Sequence, residues 1–323
     1  MLIAAPNLCL DITIAIPRLV PGSVSRATGT DTSAGGKGVN VARAARTLGG
    51  RPVVAGFLPR ADGSRFTRLL DAEGLALRKV DVDGVLRIAS ILVEDDRRVT
   101  VINGRGADVD STRWHRFTSL IVDAVAGAGV LVCSGSLPPG APVDGYAQLV
   151  EIGHRGDVPV VVDAAPAALA AALGAQPDLV SPNLSEAEGL LFGRVDEQVD
   201  EVGEDIPLRA VRAAVGLHAA GAVRAVVTAG SAGAALCTTT GAWWLAARPV
   251  DLVNPIGAGD CFAAAAALAL VAGAKDIDVV RRGMAAASAS CEQPTAGRLD
   301  PARAAELFEK ITAQTMDPTV LAG

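Results

Sequence analysis

Short apolar, mostly β-branched runs alternate along this chain with Ala- and Leu-rich stretches of helical period, and that rhythm constrains the fold more than any other feature. The runs fall at 53–57, 130–133, 158–162, 179–180 and 225–228, and the helical patterns between them at 41–48, 65–72, 167–173 and 208–218. A run that is apolar at every position has no solvent side, so its strand must be covered on both faces. Strands of that kind separated by amphipathic helices predict an α/β fold, a mostly parallel sheet flanked by helices. Two stretches, 12–33 and 87–102, leave the rhythm. Their residues alternate as in a two-sided antiparallel sheet, and the second turns through Glu94-Asp95-Asp96-Arg97-Arg98 before Val99 resumes the pattern, which predicts a hairpin. Both interrupt the α/β pattern rather than extend it, and they predict a small β-sheet lid standing off one edge.

Half of the residues are apolar, which excludes a disordered chain. A formal net charge of −6 and only 3% aromatic residues argue against a nucleic-acid partner, which needs a basic face or stacking platforms. The cysteines (Cys9, Cys133, Cys237, Cys261, Cys291) and histidines (His115, His154, His218) are scattered. That spacing makes neither a disulfide framework nor a zinc site and suits a reducing cytoplasm. The longest apolar run, 261–274, is shorter than the roughly 18–20 residues of a membrane span. Residues 1–11 carry no basic group and meet Pro6 and Asp11 early, unlike a secretory leader. The expectation is a cytoplasmic protein without a membrane or nucleic-acid partner.

Five segments carry the candidate chemistry. In Ala34-Gly35-Gly36-Lys37-Gly38-Val39-Asn40 the glycines permit close backbone approach and a helix follows at once. The free N–H groups of its first turn suit a polyol or an anion, with Lys37 adding charge. Val41, Ala45 and Leu48 share that helix's apolar face, and Arg43 and Arg46 fall on the other. The same run also fits an ordinary glycine turn before a packed helix, and it does not meet the P-loop pattern. In Asn254-Pro255-Ile256-Gly257-Ala258-Gly259-Asp260, bare backbone precedes a strong helix former. Such a nest stabilises charge on a transferring phosphoryl group, and the carboxylate could take a proton from an attacking hydroxyl. Equally, Asp260 could simply favour the first helical turn. Asn183 and Glu186, three apart after a strand, offer hard oxygens to magnesium or its waters, or else a helix cap. Ser134-Gly135-Ser136-Leu137-Pro138-Pro139-Gly140 and Thr228-Ala229-Gly230-Ser231-Ala232-Gly233 each close an apolar strand, where open α/β sheets place ligands, and each also fits a plain turn.

In their order and spacing, the early Asp11, the Gly-Gly-Lys-Gly run ending in Asn40, Asn183-x-x-Glu186, Thr228-x-Gly230-x-x-Gly233 and Gly257-Ala258-Gly259-Asp260 resemble the ribokinase-like (PfkB) carbohydrate kinase family over essentially the whole chain. The resemblance implies a single Rossmann-like (ribokinase-like) domain over 1–323, with a lid that often serves as a dimer interface. It further implies a homodimer that uses ATP and Mg2+ to phosphorylate a sugar, phosphosugar or nucleoside hydroxyl. By that resemblance Asp260 is the base, and Gly257, Ala258 and Gly259 form the anion hole. Asn183 and Glu186 hold magnesium, Glu186 as the metal group and Asn183 through water. Asp11, Gly36, Lys37 and Asn40 bind sugar hydroxyls, and Thr228, Gly230 and Gly233 line the nucleotide site alongside Asn183. The Ser134–Gly140 run is similar to the phosphofructokinase and tagatose-phosphate kinase branch, which adds Ser136 and a phosphate-binding Arg87 at the substrate. Departures from that branch are Val101 for an acidic residue, Ser181 for a lysine, Asp163-Ala164-Ala165 for Asp-x-Ser-Gly, and Pro59. Two alternatives stand beside a sugar-phosphate kinase. One is a kinase of a free sugar or nucleoside; the other is a catalytically silent sugar-phosphate sensor, against which Asp260 argues.

Overall fold

The computed structural model describes residues 1–193 and 205–317. In chain order the strands are β1 (Leu2–Asn7), β2 (Cys9–Ile16), β3 (Gly29–Gly35), β4 (Val53–Pro59), β5 (Ala76–Val82), β6 (Arg87–Glu94), β7 (Val99–Asn103), β8 (Leu131–Gly135), β9 (Val160–Ala164), β10 (Leu179–Val180), β11 (Ala225–Ala229), β12 (Gly233–Thr238), β13 (Gly241–Ala246) and β14 (Ala313–Met316). The helices are α1 (Lys37–Thr47), α2 (Gly63–Ala72), α3 (Ser111–Val125), α4 (Gly145–Arg155), α5 (Pro166–Leu173), α6 (Leu184–Phe192), α7 (Ile206–Ala219), α8 (Ala258–Val271), α9 (Asp276–Cys291) and α10 (Pro301–Lys310). None of them is long and apolar enough to cross a membrane.

The apolar runs are buried on both faces, as their composition requires. Along β9, Val160 and Val162 join one core with Leu131, Cys133 and Val227, while Val161 joins a second with Val132, Leu179 and Val226. Successive strand side chains point to opposite faces, so one unbroken run feeds both cores. Phe117, Leu149, Leu169 and Leu217 close the first core from α3, α4, α5 and α7. Val41, Phe66, Phe262 and Leu307 close the second from α1, α2, α8 and α10. Each such side chain contributes about 1.5–3 kcal/mol of burial, and a charge at any run position would face a helix layer instead of water.

Strand order in the large sheet is β14-β13-β12-β11-β10-β9-β8-β1-β4-β5. From β5 to β11 all neighbours run parallel, and β12, β13 and β14 add an antiparallel edge. The chain leaves β1 toward β4 and β5, then returns to β8 on its other side, so the order reverses at β1. A crevice opens at the carboxyl ends of the strands at such a reversal.

The lid is a separate sheet of order β3-β2-β6-β7. It is mixed where the alternation pointed to an antiparallel sheet: β2 runs parallel to β6, with Cys9 opposite Arg87, and the outer pairs are antiparallel. Period-two alternation is the same for either direction, and only the docking of the two segments decides it. Glu94, placed in the polar hairpin turn by sequence, is buried; it accepts from Leu19 N at 2.7 Å and from the Arg98 guanidinium at 2.6 and 2.8 Å. Leu8 alone separates β1 from β2, and β3 re-enters the body through Gly36, at φ 99°, into α1.

Candidate active site

The segment 254–260 forms a tight loop opening into α8. Asn254 Oδ1 accepts from Ile256 N at 2.9 Å and its Nδ2 donates to Pro294 O at 3.0 Å, which holds the loop shape. Gly257, at φ 85°, caps the helix, and a Cβ there would lie 2.8 Å from Gly297 N, so only glycine fits. First-turn amides of a helix have no intrahelical acceptor; Ala258 N leans back on Pro255 O at a long 3.3 Å, and a Cβ on Gly259 would meet open space. Asp260 follows as the third helical residue and is only 4% exposed. A helix N-terminus favours a carboxylate, and so do Lys37 and the hydrogen bond from Asn40. Burial outweighs them and, with Asp163 and Asp11 nearby, pushes the Asp260 carboxyl up to about 7. A group that titrates there can both accept and release a proton near neutrality.

Around Asp260 the glycine-rich run sets two side chains, Asn40 and Lys37, and β2 adds Asp11. Asn40 Nδ2 donates to Asp260 Oδ2 at 2.8 Å. Lys37 Nζ lies 3.3 and 3.5 Å from the oxygens of Asp163, at the end of β9, and that carboxylate holds the ammonium well above its ordinary range. Asp11, on β2, accepts from the Cys9 thiol at 3.1 Å, and burial raises its carboxyl. It lies against bare backbone, for a Cβ on Gly35 would fall 2.0 Å from Asp11 Oδ1. Arg43 corrects the helical-face reading. It is 6% exposed rather than solvated, because α1 is buried nearly all round and Glu73, just past α2, supplies the countercharge at 2.6 Å.

The lid contributes Arg87 at its first β6 position. Arg87 Nε and Nη2 donate to Asn7 O at 3.1 and 3.0 Å, and Asn7 Nδ2 donates to Ser136 Oγ at 3.0 Å. Asn7 therefore joins Ser136, expected at the substrate, to Arg87, expected at its phosphate. Ser134 Oγ is buried with no hydrogen-bond partner among the described residues, although Ser134 lines the cleft.

On the far side, Asn183 and Glu186 form a reciprocal capping box. Asn183 Oδ1 accepts from Glu186 N at 2.8 Å, and Glu186 Oε2 accepts from Asn183 N at 3.0 Å. The helix-cap reading is thus realised, and it occupies one Glu186 oxygen. Thr228 bridges to Asn183 and donates its N–H to Pro182 O at 3.0 Å. Gly233, at φ 148°, would place a Cβ 2.2 Å from Leu245 O, so the close approach of β13 to the start of β12 requires glycine there.

All fifteen residues singled out by sequence line one cleft of about 1350 Å3: Asp11, Gly36, Lys37, Asn40, Arg87, Ser136, Asn183, Glu186, Thr228, Gly230, Gly233, Gly257, Ala258, Gly259 and Asp260. Pockets for one drug-sized ligand run to roughly 300–1,000 Å3, so this cleft, with Asp260 in its wall, has room for two reactants. Val250, Ile256, Ala287 and Cys291 add an apolar slot on the α9 side.

The model of the pfkB family carbohydrate kinases matches residues 5–303. This chain belongs to that family. It is therefore a phosphotransferase acting on a sugar hydroxyl. It is 30% identical over 312 residues to a 1-phosphofructokinase of Escherichia coli K12, covering 95% of this chain and 96% of that one. Among solved structures it is similar to the phosphofructokinase-2 of Escherichia coli in complex with potassium, with a TM-score of 0.86 and 26% identity over 96% of this chain and 98% of that one. The tetrameric inhibited form of that enzyme matches with a TM-score of 0.84 at the same identity and coverage.

In this pfkB-family kinase three residues in or directly behind the cleft are not marked by the sequence motifs. Asp163 sits at the carboxyl end of β9, a position that the strand rule marks for ligands; in the sequence it stands out only as part of a departure from the family pattern. Asn7 ends β1 at the strand-order reversal. Gly297 packs against Asn40, where a Cβ would fall 2.8 Å from Asn40 Cα, and no local pattern announces it.

Proposed function

We propose that this kinase transfers the γ-phosphoryl group of ATP to a hydroxyl of a ketose phosphate of the fructose- or tagatose-phosphate type. The observation that carries the chemistry is Asp260: a buried carboxylate titrating near 7, at the mouth of a helix N-terminus, within a cleft large enough for two reactants. Asp260 takes the proton of the acceptor hydroxyl as that oxygen attacks. The amides of Gly257, Ala258 and Gly259, with the dipole of α8, stabilise the negative charge on the transferring group. Asp11, Gly36, Lys37 and Asn40 orient the sugar hydroxyls, and Thr228, Gly230 and Gly233 line the nucleotide side with Asn183. Phosphoryl transfer needs little covalent help from a protein, so positioning and fixed charge supply most of the rate.

Magnesium fits one place in the cleft. Magnesium keeps several waters and takes one or two carboxylates plus substrate phosphates. Glu186 has one oxygen in the capping box and one left over, and no cluster of three or more acidic, His or Cys groups exists among the described residues to hold a metal without substrate. Glu186, with Asn183 through water, would hold the ion, which when bound supplies charge neutralisation at the phosphates.

The phosphorylated acceptor is supported by Arg87, Asn7 and Ser136 meeting at one end of the cleft, by the unpartnered Ser134 hydroxyl, and by the 1-phosphofructokinase relatives. A free sugar or nucleoside is the second reading. It is favoured by one observation: Arg87 already spends Nε and Nη2 on Asn7 O. The lid leaves Ile88 and Ile102 exposed on one face, with Ile102 at 61%, and a second copy covering that face makes a homodimer in the cytoplasm. Coupled ADP release over a panel of hexoses, pentoses, ketose phosphates and nucleosides tests the acceptor. The highest kcat/KM should fall to a ketose phosphate, and a free sugar or nucleoside at the top would replace that reading.

A further inference from the structure

The side-chain amide of Asn40 has an acceptor oxygen on one side and a donor nitrogen on the other, and only one of its two orientations serves Asp260. Nδ2 donates to Asp260 Oδ2 at 2.8 Å while Oδ1 accepts from Arg43 Nη1 at 2.9 Å. Turned over, the oxygen would face a carboxylate and the nitrogen a guanidinium, which has no acceptor. Arg43 is itself immobilised. Its Nε and Nη2 bind the two Glu73 oxygens at 2.6 Å each, and Nη2 also donates to Ala34 O at 2.5 Å. Asn40 and Arg43 are both buried, 5% and 6% exposed, so solvent does not compete for these bonds. A planar bidentate fork on a carboxylate is among the most directional contacts a side chain makes.

Resting on the reading of Asp260 as the base, we propose that Arg43, anchored by Glu73, is a positioning residue that locks the Asn40 amide so that one Asp260 oxygen is engaged and the other is left to take the acceptor proton. Arg43 does not line the cleft, and its contact with Asp260 runs through Asn40. Its partner Ala34 lies in β3, so the same fork ties the base of a lid strand to the helix that orients the base. The groups facing Asp260 are Lys37 from α1, Asp163 from β9, Asp11 from β2, and Cys261 on its own helix, whose thiol burial raises to about 12 and keeps neutral. With Asn40 free to turn, the bond that favours the charged form of Asp260 is lost, and the base holds its proton to higher pH.

The test is the double variant Arg43→Met with Glu73→Met. It removes one charge of each sign, leaves no buried ion stranded, and changes the field at Asp260 little. The acid limb of kcat/KM should move up by about one pH unit, a tenfold rise in proton affinity. Below neutrality kcat should fall about tenfold, with the KM for ATP unchanged. A structural role alone lowers the melting temperature and leaves the limb in place, so a folded double variant with the wild-type limb and kcat overturns the proposal. If the double variant does not fold, Arg43→Lys keeps Glu73 paired, but its single nitrogen cannot reach both Glu73 and Asn40. It should show the same limb shift, and a wild-type profile overturns the proposal equally. Asp260→Asn separates the two readings. Near-normal turnover there removes the base itself; collapse there, with the wild-type limb in the Arg43 variants, removes only the positioning role.

Discussion

Replacing Asp260 by Asn perturbs function and stability in opposite directions, and both effects follow from its burial. An aspartate in an unfolded chain titrates near 4, whereas in this fold the Asp260 carboxyl titrates at about 7. Between those values the folded protein holds a proton that the unfolded chain has released. Stability therefore falls as pH rises through that window, and the deficit is complete above about 7. A gap of about three pH units is worth at most about 4 kcal/mol. Asparagine has nearly the same shape, its oxygen can still accept from Asn40 Nδ2, and it carries no charge to desolvate. Asp260→Asn should accordingly be more stable than the wild type at pH 8, by up to about 4 kcal/mol, and no more stable at pH 4. Its kcat should fall by about 10²–10⁴, the usual loss when a general base is removed. Urea unfolding at the two pH values and coupled ADP release measure the pair. A variant with equal gains at both pH values would refute the burial argument, and one with near-normal turnover would refute the assignment of the base.

Three further outcomes are expected. Glu186→Gln preserves the capping box, since glutamine also accepts from the Asn183 N–H, so the melting temperature should hold while the magnesium concentration for half-maximal rate rises; an unmoved magnesium curve would leave Glu186 a cap only. Arg87→Ala should raise the KM for a ketose phosphate about ten- to a hundredfold, the equivalent of one charge-assisted hydrogen bond from the donors that Asn7 O leaves free. The KM for ATP should stay put, and an unchanged acceptor KM would point to an uncharged acceptor. Sedimentation at micromolar concentration should show a dimer, and Ile102→Asp on the exposed lid face should shift it to monomer; a wild-type monomer would remove the lid interface.

What the chain carries locally is its periodicity and its punctuation. Unbroken runs such as 158–162 require two covered faces wherever they sit, because strand side chains alternate, and so the layered α/β sheet was legible before any contact was known. The glycines at 35 and 257 were legible too, since bare backbone before a helix is a local property. The antiparallel edge of β12, β13 and β14 was not, for Gly233-Ala234-Ala235-Leu236 lacks the branched residues that mark a strand and is held by its neighbours instead. Nor did the alternation in 12–33 and 87–102 disclose that β2 and β6 lie parallel. The site divides in the same way. Asp260 and Asn40 stood out in sequence, but their hydrogen bond spans 220 positions, and only the packing of α1 against α8 makes it. Arg43 shows the limit most sharply: helical period assigned it to water, and tertiary structure buried it by bringing Glu73 within 2.6 Å. Period reports which residues share a face, whereas whether a charged face is solvated depends on the countercharge that the rest of the fold delivers to it.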